Sequence, residues 1–179
     1  MLTLVLADCK INIDSKKIDK GDLNPELVHI SMLLAQDSGL AEERELKIIV
    51  HTVDNSVFRF EPHSHIPEDL EEFVELLNDS SEGKSPKGVK FKKQSLIQAL
   101  DEEIGHKIVF SPKGERKDPI EVFSRPEDYI VVIGGFVEGD FKSPVYKWAD
   151  KTISISSKQM KTWSVTAEVI VSYRYCSFE

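Results

Sequence analysis

The feature that most restricts the fold is an apolar run, Tyr129 to Ile133, that leads directly into two glycines. Five consecutive β-branched or aromatic residues are typical of a strand that is buried on both faces of a parallel sheet. Ligands of open α/β sheets bind beyond the carboxyl ends of such strands, where glycines let the backbone approach closely. The run therefore predicts an α/β sheet, with residues 134–140 forming either a binding loop or a plain tight turn.

The rest of the chain alternates between predicted strands and predicted helices. Strands are expected over residues 2–7, 46–51, 57–60, 106–110 and 152–156, and helices over 24–39, from 66 onward, over 94–104 and over 159–173. This alternation indicates an α/β domain with a mostly parallel central sheet flanked by helices, plus a hairpin across residues 53–56. We expect one domain over residues 1–179, with an irregular connection over 10–23 and a flexible loop over about 78–93.

Two helix starts carry clear signals. Asn24-Pro25-Glu26 is typical of a first turn, and Gly39 is expected to end that helix. Its apolar face is predicted from helical spacing to contain Leu27, Ile30, Leu33 and Leu34. Ile66-Pro67-Glu68 is expected to open the second helix, whose polar face is strongly acidic.

The chain is acidic, with 23 Lys and Arg against 31 Asp and Glu and a formal net charge of −8. This balance argues against a protein that coats nucleic acid through its overall charge, but it leaves room for a local basic patch. The candidate patch lies within ten residues and consists of Lys84, Lys87, Lys90, Lys92 and Lys93. A solvated, mobile segment is the alternative interpretation, although the alternation Val89-Lys90-Phe91-Lys92 is also consistent with a strand that has one basic face.

Three classes of protein are not indicated by the sequence. No apolar run is long enough to span a membrane, and the apolar start lacks the basic leader of a signal peptide. Cys9 and Cys176 stand far apart with no CxxC motif, so no metal site is expected and both thiols are expected to be reduced.

Short motifs in both halves of the chain match, in order, those of one protein family. The first half carries PELVHISMLL (25–34), Asp37-Ser38, IVHT (49–52), Glu61-Pro62 and Ile66-Pro67. The second half carries IGGF (133–136) with Gly139, ISIS (153–156), Met160 and WSV (163–165). These motifs resemble the Nep/Emg family of SPOUT-superfamily methyltransferases of compact archaeal type, and the resemblance covers nearly the whole chain.

The resemblance implies a SPOUT-type α/β fold whose C-terminal part is threaded as a deep trefoil knot. It also implies S-adenosylmethionine as cofactor and S-adenosylhomocysteine as product, bound by three segments. The cofactor-binding residues that it implies are His51, Thr52, Ile133, Gly134, Gly135, Phe136, Gly139, Ile153, Ser154, Ile155, Met160, Trp163 and Val165.

The implied reaction is methylation of N1 of a pseudouridine in small-subunit rRNA during ribosome biogenesis. The resemblance further implies a cytoplasmic homodimer built partly from the last helix, with ribosomal assembly proteins as additional partners. Pseudouridine N1 carries a proton that must leave, and a nearby carboxylate can accept it or hold the base. Glu26 stands where the family has an aspartate, so it is the candidate catalytic residue.

The sequence departs from the family pattern where relatives bind RNA. Asn24 replaces a family arginine, and family arginines that contact phosphates correspond here to His65, Glu68 and Glu72. A glutamate at a phosphate contact repels where an arginine attracts. We therefore expect RNA to be bound by Asn24, His65 and the lysines between residues 84 and 93.

Three functions remain open from the sequence. The favoured one is an active pseudouridine N1-methyltransferase that reaches RNA through those lysines. The second is a diverged SPOUT methyltransferase that acts on another RNA or on a substrate other than RNA. The third is a non-catalytic assembly factor that binds the cofactor without turnover.

Overall fold

The computed structural model describes residues 1–11 and 24–177, so most of the expected irregular connection over 10–23 lies outside the described residues. The strands are β1 (Leu2–Cys9), β2 (Leu46–Thr52), β3 (Ser56–Phe60), β4 (Val89–Lys93), β5 (His106–Arg116), β6 (Tyr129–Gly134) and β7 (Lys151–Ser154). The helices are α1 (Pro25–Gln36), α2 (Gly39–Glu42), α3 (Leu70–Ser81), α4 (Leu96–Asp101), α5 (Val145–Trp148) and α6 (Thr162–Ser177).

The described strands form one seven-stranded sheet in the order β4-β3-β2-β1-β6-β5-β7. The pairs β2–β1, β1–β6, β6–β5 and β5–β7 are parallel. The pairs β2–β3 and β3–β4 are antiparallel. The predicted mostly parallel sheet with one hairpin is confirmed. The carboxyl ends of β1, β2, β5, β6 and β7 therefore lie along one side of the sheet, which we call the carboxyl edge.

Apolar side chains cover both faces of the sheet, which gives three layers. Leu4, Val131 and Phe58 point to the face that carries α1, α3 and α6. Val5 and Val132, their neighbours along the strands, point to the opposite face, which carries α4 and α5. The alternation of strand side chains between faces thus explains why the central strands are apolar throughout.

The boundaries of the first two predicted helices need correction. α1 ends at Gln36, and Gly39 begins the short helix α2 instead of ending α1. Ile30 is exposed, because the buried side of α1 is formed by Val28, Met32 and their neighbours. The second predicted helix begins four residues later than expected, since Asp69 caps it and Ile66 is buried ahead of it.

The predicted flexible loop over residues 78–93 is wrong at both ends. α3 continues to Ser81, and β4 begins at Val89, so only residues 82–88 connect helix and strand. The helix predicted over 94–104 is shorter, because the Ser95 hydroxyl caps α4 and the helix ends at Asp101. The alternating residues from Val89 to Lys93 form a regular edge strand instead of the end of the loop.

A four-residue bulge interrupts β5 next to β7. Phe110 and Glu115 both pair with Ile153, so residues 111–114 loop out between them. Gly114 closes the bulge against β7, where an added Cβ would lie 2.5 Å from the Ile153 nitrogen. Only glycine allows this approach of two backbones, and the bulge carries its side chains to the carboxyl edge.

Cys9 and Cys176 are both buried, and no disulfide joins them. Burial raises the pKa of Cys9 far above its usual range, so the thiol stays protonated. None of the helices in the described ranges combines the length and the apolar content that crossing a membrane requires.

Candidate functional site

A cavity opens at the carboxyl edge between β5, β6, β7 and the start of α6. It encloses about 550 Å³ of empty space, part of it open to solvent. Its lining residues are Phe110, Ser111, Pro112, Ile133, Gly134, Phe136, Gly139, Asp140, Phe141, Ile153, Ser154, Ile155, Ser156, Lys158, Gln159, Met160, Thr162 and Val165. The wall combines apolar side chains with a few polar groups, as is typical of ligand-binding pockets.

Two of the three predicted cofactor segments meet at this cavity. The loop after β6 contributes Ile133, Gly134, Phe136 and Gly139. The segment from β7 into α6 contributes Ile153, Ser154, Ile155, Met160 and Val165. These residues are separated by up to 32 positions in sequence, and the parallel pairing of β5 with both β6 and β7 brings them together.

The third predicted segment lies elsewhere. His51 and Thr52 are buried at the end of β2 and are absent from the cavity lining. β1 separates β2 from β6, so the two strand ends are about 10 Å apart. Thr52 closes the hairpin instead, because its hydroxyl accepts a hydrogen bond from the Ser56 N–H at 3.1 Å and contacts Asp54.

Gly135 and Trp163 were also predicted to contact the cofactor, and neither lines the cavity. Gly135 lies behind the cavity wall, where its N–H donates to the Ala7 carbonyl at 2.7 Å. Trp163 is half-buried beside Lys161, whose ammonium lies 5.7 Å from the indole ring centre. The preceding residue, Thr162, fixes the start of α6, since its hydroxyl donates to the Gly134 carbonyl at 2.7 Å.

The β5 bulge supplies a wall that the sequence analysis missed. Phe110, Ser111 and Pro112 line the cavity opposite the start of α6. The glycine inside an otherwise strand-like stretch, at position 114, was the signal that could have indicated this bulge. Asp140, Phe141, Lys158 and Gln159 complete the missed lining.

A hydrogen-bonded cluster holds the rim of the cavity. The Asp140 carboxylate pairs with Lys113 at 2.5 Å and accepts a hydrogen bond from the Tyr146 hydroxyl, which lies 2.9 Å from the Ser111 hydroxyl. Burial alone would raise the pKa of Asp140, but the bonds from Lys113 and Tyr146 lower it. Burial and the adjacent carboxylate raise the pKa of Tyr146 to about 12. Near neutral pH, Asp140 therefore stays ionised and Tyr146 stays neutral.

Comparison with known protein families gives a match over most of the chain. The family model described as "EMG1/NEP1 methyltransferase" matches residues 3–174. The chain belongs to the EMG1/NEP1 methyltransferase family.

Two relatives of this chain carry the same name. "Ribosomal RNA small subunit methyltransferase Nep1" of Methanothrix thermoacetophila is 32% identical over 155 residues, covering 83% of this chain and 69% of the relative. The protein of the same name from Thermoplasma volcanium is 32% identical over 157 residues, with the same coverage. The crystal structure of Archaeoglobus fulgidus Nep1 bound to S-adenosylhomocysteine is 19% identical, with a TM-score of 0.78 over 99% of both chains. The α/β fold described above is therefore similar to that of a Nep1 structure.

The lysines predicted to bind RNA differ from an unopposed basic patch. Four of them pair with carboxylates: Lys84 with Glu82 at 2.8 Å, Lys90 with Glu61 at 2.8 Å, Lys92 with Glu102 at 2.6 Å and Lys93 with Asp54 at 2.7 Å. Lys87 is exposed in the connection before β4. Because β4 lies four strand spacings from β6, these lysines are about 19 Å or more from the cavity across the sheet.

Acidic residues at the start of α3 have a structural reason. Asp69 caps the helix by accepting hydrogen bonds from the N–H groups of Glu71 at 2.8 Å and Glu72 at 3.1 Å. Carboxylates in a first turn also interact favourably with the helix dipole. Glu68, Glu72 and His65 are all exposed, so the positions that depart from the Nep/Emg pattern form a solvent-facing, mostly acidic surface.

Glu26 is exposed in the first turn of α1. α1 begins next to the carboxyl end of β1, because the Asn24 N–H donates to the Lys10 carbonyl at 2.9 Å. Asn24 occupies the N-cap position, as predicted, although its side chain makes no capping hydrogen bond. Glu26 therefore lies on the same edge of the sheet as the cavity, outside its lining.

Proposed function

We propose that this member of the EMG1/NEP1 family transfers a methyl group from S-adenosylmethionine to N1 of a pseudouridine in small-subunit rRNA, in the cytoplasm. The observation that carries the proposal is the cavity at the carboxyl edge, where the family-like loop after β6 meets the segment from β7 into α6. The names of the relatives, which are small-subunit rRNA methyltransferases, support the substrate class.

The chemistry of the cavity fits this cofactor. Ile133, Ile153, Ile155 and Val165 offer an apolar slot of the kind that an adenine ring needs. Met160 adds a polarisable thioether, and the polar rim stands at the opening. The bound cofactor supplies a sulfonium methyl group that is ready for in-line transfer.

The residues of this chain contribute position and exclusion of water. The loop from Gly134 to Phe141 and the bulge from 111 to 114 enclose the ligand on two sides, while Thr162 ties α6 to the end of β6. Holding two reactants in line removes much of the entropic part of the barrier. The reaction forms the N1–methyl bond, breaks the sulfur–methyl bond and releases the N1 proton.

Glu26 receives that proton or holds the base. Its carboxylate is exposed at the carboxyl edge, and a base brought to that edge from a single-stranded or loop region pays little to unstack. Asn24, at the preceding turn, adds a polar group on the same side.

The homodimer and the knot are part of the same proposal. Val171 and Tyr175 stand one helical turn apart on the outer side of α6 and are 64% and 55% exposed, which supports an apolar dimer face on this helix. Threading of the C-terminal segment as a trefoil knot is supported by the fold likeness to the Archaeoglobus fulgidus Nep1 structure. Ribosomal assembly proteins are the expected further partners.

An RNA hairpin that carries one pseudouridine is expected to accept methyl groups from labelled S-adenosylmethionine, whereas the same hairpin with uridine is not. Uridine has no N1–H, because that nitrogen forms its glycosidic bond. Mass spectrometry of the nucleosides identifies the product. Glu26→Gln is expected to lower kcat by about 100-fold, because general-base assistance is lost.

Two other results would assign a different function. Equal labelling of both hairpins indicates a methyltransferase with another target. Binding of S-adenosylhomocysteine in calorimetry without any transfer indicates the assembly factor, and absence of binding at high micromolar concentration contradicts every methyltransferase interpretation.

The lysines of β4 provide a second, independent prediction. We expect Lys90, Lys92 and Lys93 to exchange their carboxylate partners for RNA phosphates when RNA binds. The logarithm of the RNA association constant falls linearly with the logarithm of the salt concentration, and replacing all three lysines by Gln is expected to make this fall less steep by about 2. The matched control replaces Lys107, Lys147 and Lys151, which lie on other parts of the fold, and is expected to leave the slope unchanged. Equal slopes for the two triple variants would remove β4 from the RNA-binding surface.

A further inference from the structure

Asp8 is a buried carboxylate that the proposed reaction does not use. It lies at the carboxyl end of β1, is 3% exposed, and has a φ of 54°. This left-handed backbone conformation is uncommon for residues other than glycine, although Asp and Asn tolerate it best. An isolated buried charge is costly, so the partners of this carboxylate indicate what it does.

Three donors from one distant segment converge on Asp8. The Lys142 N–H donates to Oδ2 at 2.7 Å, and the Ser143 N–H donates to the same oxygen at 3.0 Å. The Ser143 hydroxyl donates to Oδ1 at 2.7 Å. The Asp8 carboxylate therefore binds a backbone segment that lies 134 residues further along the chain, at the end of the loop that follows β6.

His51 fixes Asp8 from the other side. The Asp8 N–H donates to His51 Nδ1 at 3.3 Å, and that nitrogen lies 3.4 Å from Asp8 Oδ1. Burial would raise the pKa of Asp8, but the hydrogen bonds that its carboxylate accepts, among them the two from Ser143, outweigh this effect and bring the pKa down to about 2. The carboxylate thus stays charged, and its bonds to the loop stay charge-assisted, across the physiological range.

The residues on either side of Asp8 hold the beginning of the same loop. The Ala7 carbonyl accepts the Gly135 N–H at 2.7 Å, and the Cys9 sulfur lies where a Gly135 side chain would be. Two consecutive residues of β1, Ala7 and Asp8, thus form hydrogen bonds with the two ends of the segment from 135 to 143, and Cys9 lies against its beginning. Between those ends, Phe136, Gly139 and Phe141 line the cavity.

We propose that Asp8 is a positioning residue for the cofactor loop: by binding the backbone of Lys142 and Ser143, it holds the segment from 135 to 143 in the shape that lines the cavity. The inference rests on the proposed function for its cofactor. His51 does not reach the cavity, and in this proposal it orients Asp8 by accepting a hydrogen bond from the Asp8 N–H.

Asp8→Asn is the cleanest test, because asparagine keeps the size and tolerates the left-handed φ. The asparagine side chain replaces one carboxylate oxygen by an NH₂ group, which cannot accept the hydrogen bonds that Lys142 and Ser143 donate to Asp8. It also removes the negative charge of Asp8. We expect affinity for S-adenosylhomocysteine, measured by calorimetry, to fall about ten-fold, and KM for S-adenosylmethionine to rise more than kcat falls. Amides of residues 135–143 are expected to exchange hydrogen faster in the ligand-free protein.

Two further variants separate positioning from general loss of stability. Ser143→Ala removes one donor outside the core and is expected to give a smaller change of the same kind. Phe73→Leu, in the core between α3 and the sheet, is expected to lower the unfolding midpoint while the affinity stays within two-fold and loop exchange keeps its rate relative to the rest of the chain.

Each outcome has one meaning. Unchanged loop exchange in both Asp8→Asn and Ser143→Ala overturns the inference. A change in affinity that merely follows the unfolding midpoint, as in Phe73→Leu, overturns it as well. Faster loop exchange together with failure of the wild-type protein to bind S-adenosylhomocysteine supports the attachment of the loop by Asp8 and contradicts the proposed function.

Discussion

Gly135→Ala is expected to lower the free energy of unfolding by about 1–3 kcal/mol and to weaken binding at the cavity at least ten-fold. The added Cβ would lie 2.2 Å from the Cys9 sulfur and 3.2 Å from the Ala7 carbonyl oxygen, and both belong to a strand held between two neighbours. Either β1 or the loop must move. Because the loop lines the cavity and β1 is central in the sheet, the loop is the part expected to shift.

The double variant Cys9→Ala/Gly135→Ala tests this cause directly. Removing the sulfur leaves room for the new methyl group, so the pair is expected to recover most of the loss in a double-mutant cycle. Gly39→Ala is the comparison variant, because the three atoms nearest to its Cβ would all belong to the guanidinium group of Arg174, at the far end of a long side chain and not in a backbone. Urea titrations give the unfolding free energies. A double variant as unstable as Gly135→Ala alone would show that the steric explanation is wrong.

Arg59→Met is expected to cost about 3 kcal/mol of stability, the largest loss that we predict for a residue outside the cavity. The guanidinium is buried between β3 and the end of α4. It donates to the Ala99 carbonyl at 3.2 Å, to Glu102 at 2.7 Å and to Glu103 at 3.2 Å. Methionine fills the volume but leaves the Glu103 carboxylate, 9% exposed, with Lys47 as its remaining partner.

Arg125→Met provides the comparison, because Arg125 is largely exposed and lies 3.9 Å from Glu127. Such surface pairs contribute little, and a change of no more than about 0.5 kcal/mol is expected. Chemical denaturation of both variants under the same conditions measures the difference. Similar losses of unfolding free energy for Arg59→Met and Arg125→Met would mean that the buried ion pairs of Arg59 stabilise the protein no more than an exposed pair does.

The central part of the fold was predictable because its residues are apolar without interruption. The apolar segments that form β1, β2 and β6 place side chains on both faces of the sheet. Such segments are typical of strands that are buried on both faces, so the sequence indicated central strands. β4 was indicated only weakly, by the alternation from Val89 to Lys92, for the opposite reason. An edge strand with one exposed face needs only Val89 and Phe91 to attach it, and its lysines made the segment resemble a loop.

The candidate site was predictable where motif and strand end coincide, and unpredictable where tertiary structure decides. The loop after β6 follows a buried strand, and its glycines indicated a site. The position of His51 depended on strand order, because parallel pairing alone does not reveal that β1 lies between β2 and β6. The contribution of Pro112 depended on a bulge that only the pairing of Phe110 and Glu115 with one residue defines.

The lysines of β4 also have a consequence for how copies of this protein behave towards one another. β4 is the last strand on its side of the sheet, so one row of its backbone N–H and C=O groups has no partner strand among the described residues. Such a row is a template for strand addition, and natural sheets disfavour it by placing lysines on the edge strand. Lys90, Lys92 and Lys93 give β4 that composition, and another strand could pair with this edge only at the cost of desolvating their ion pairs.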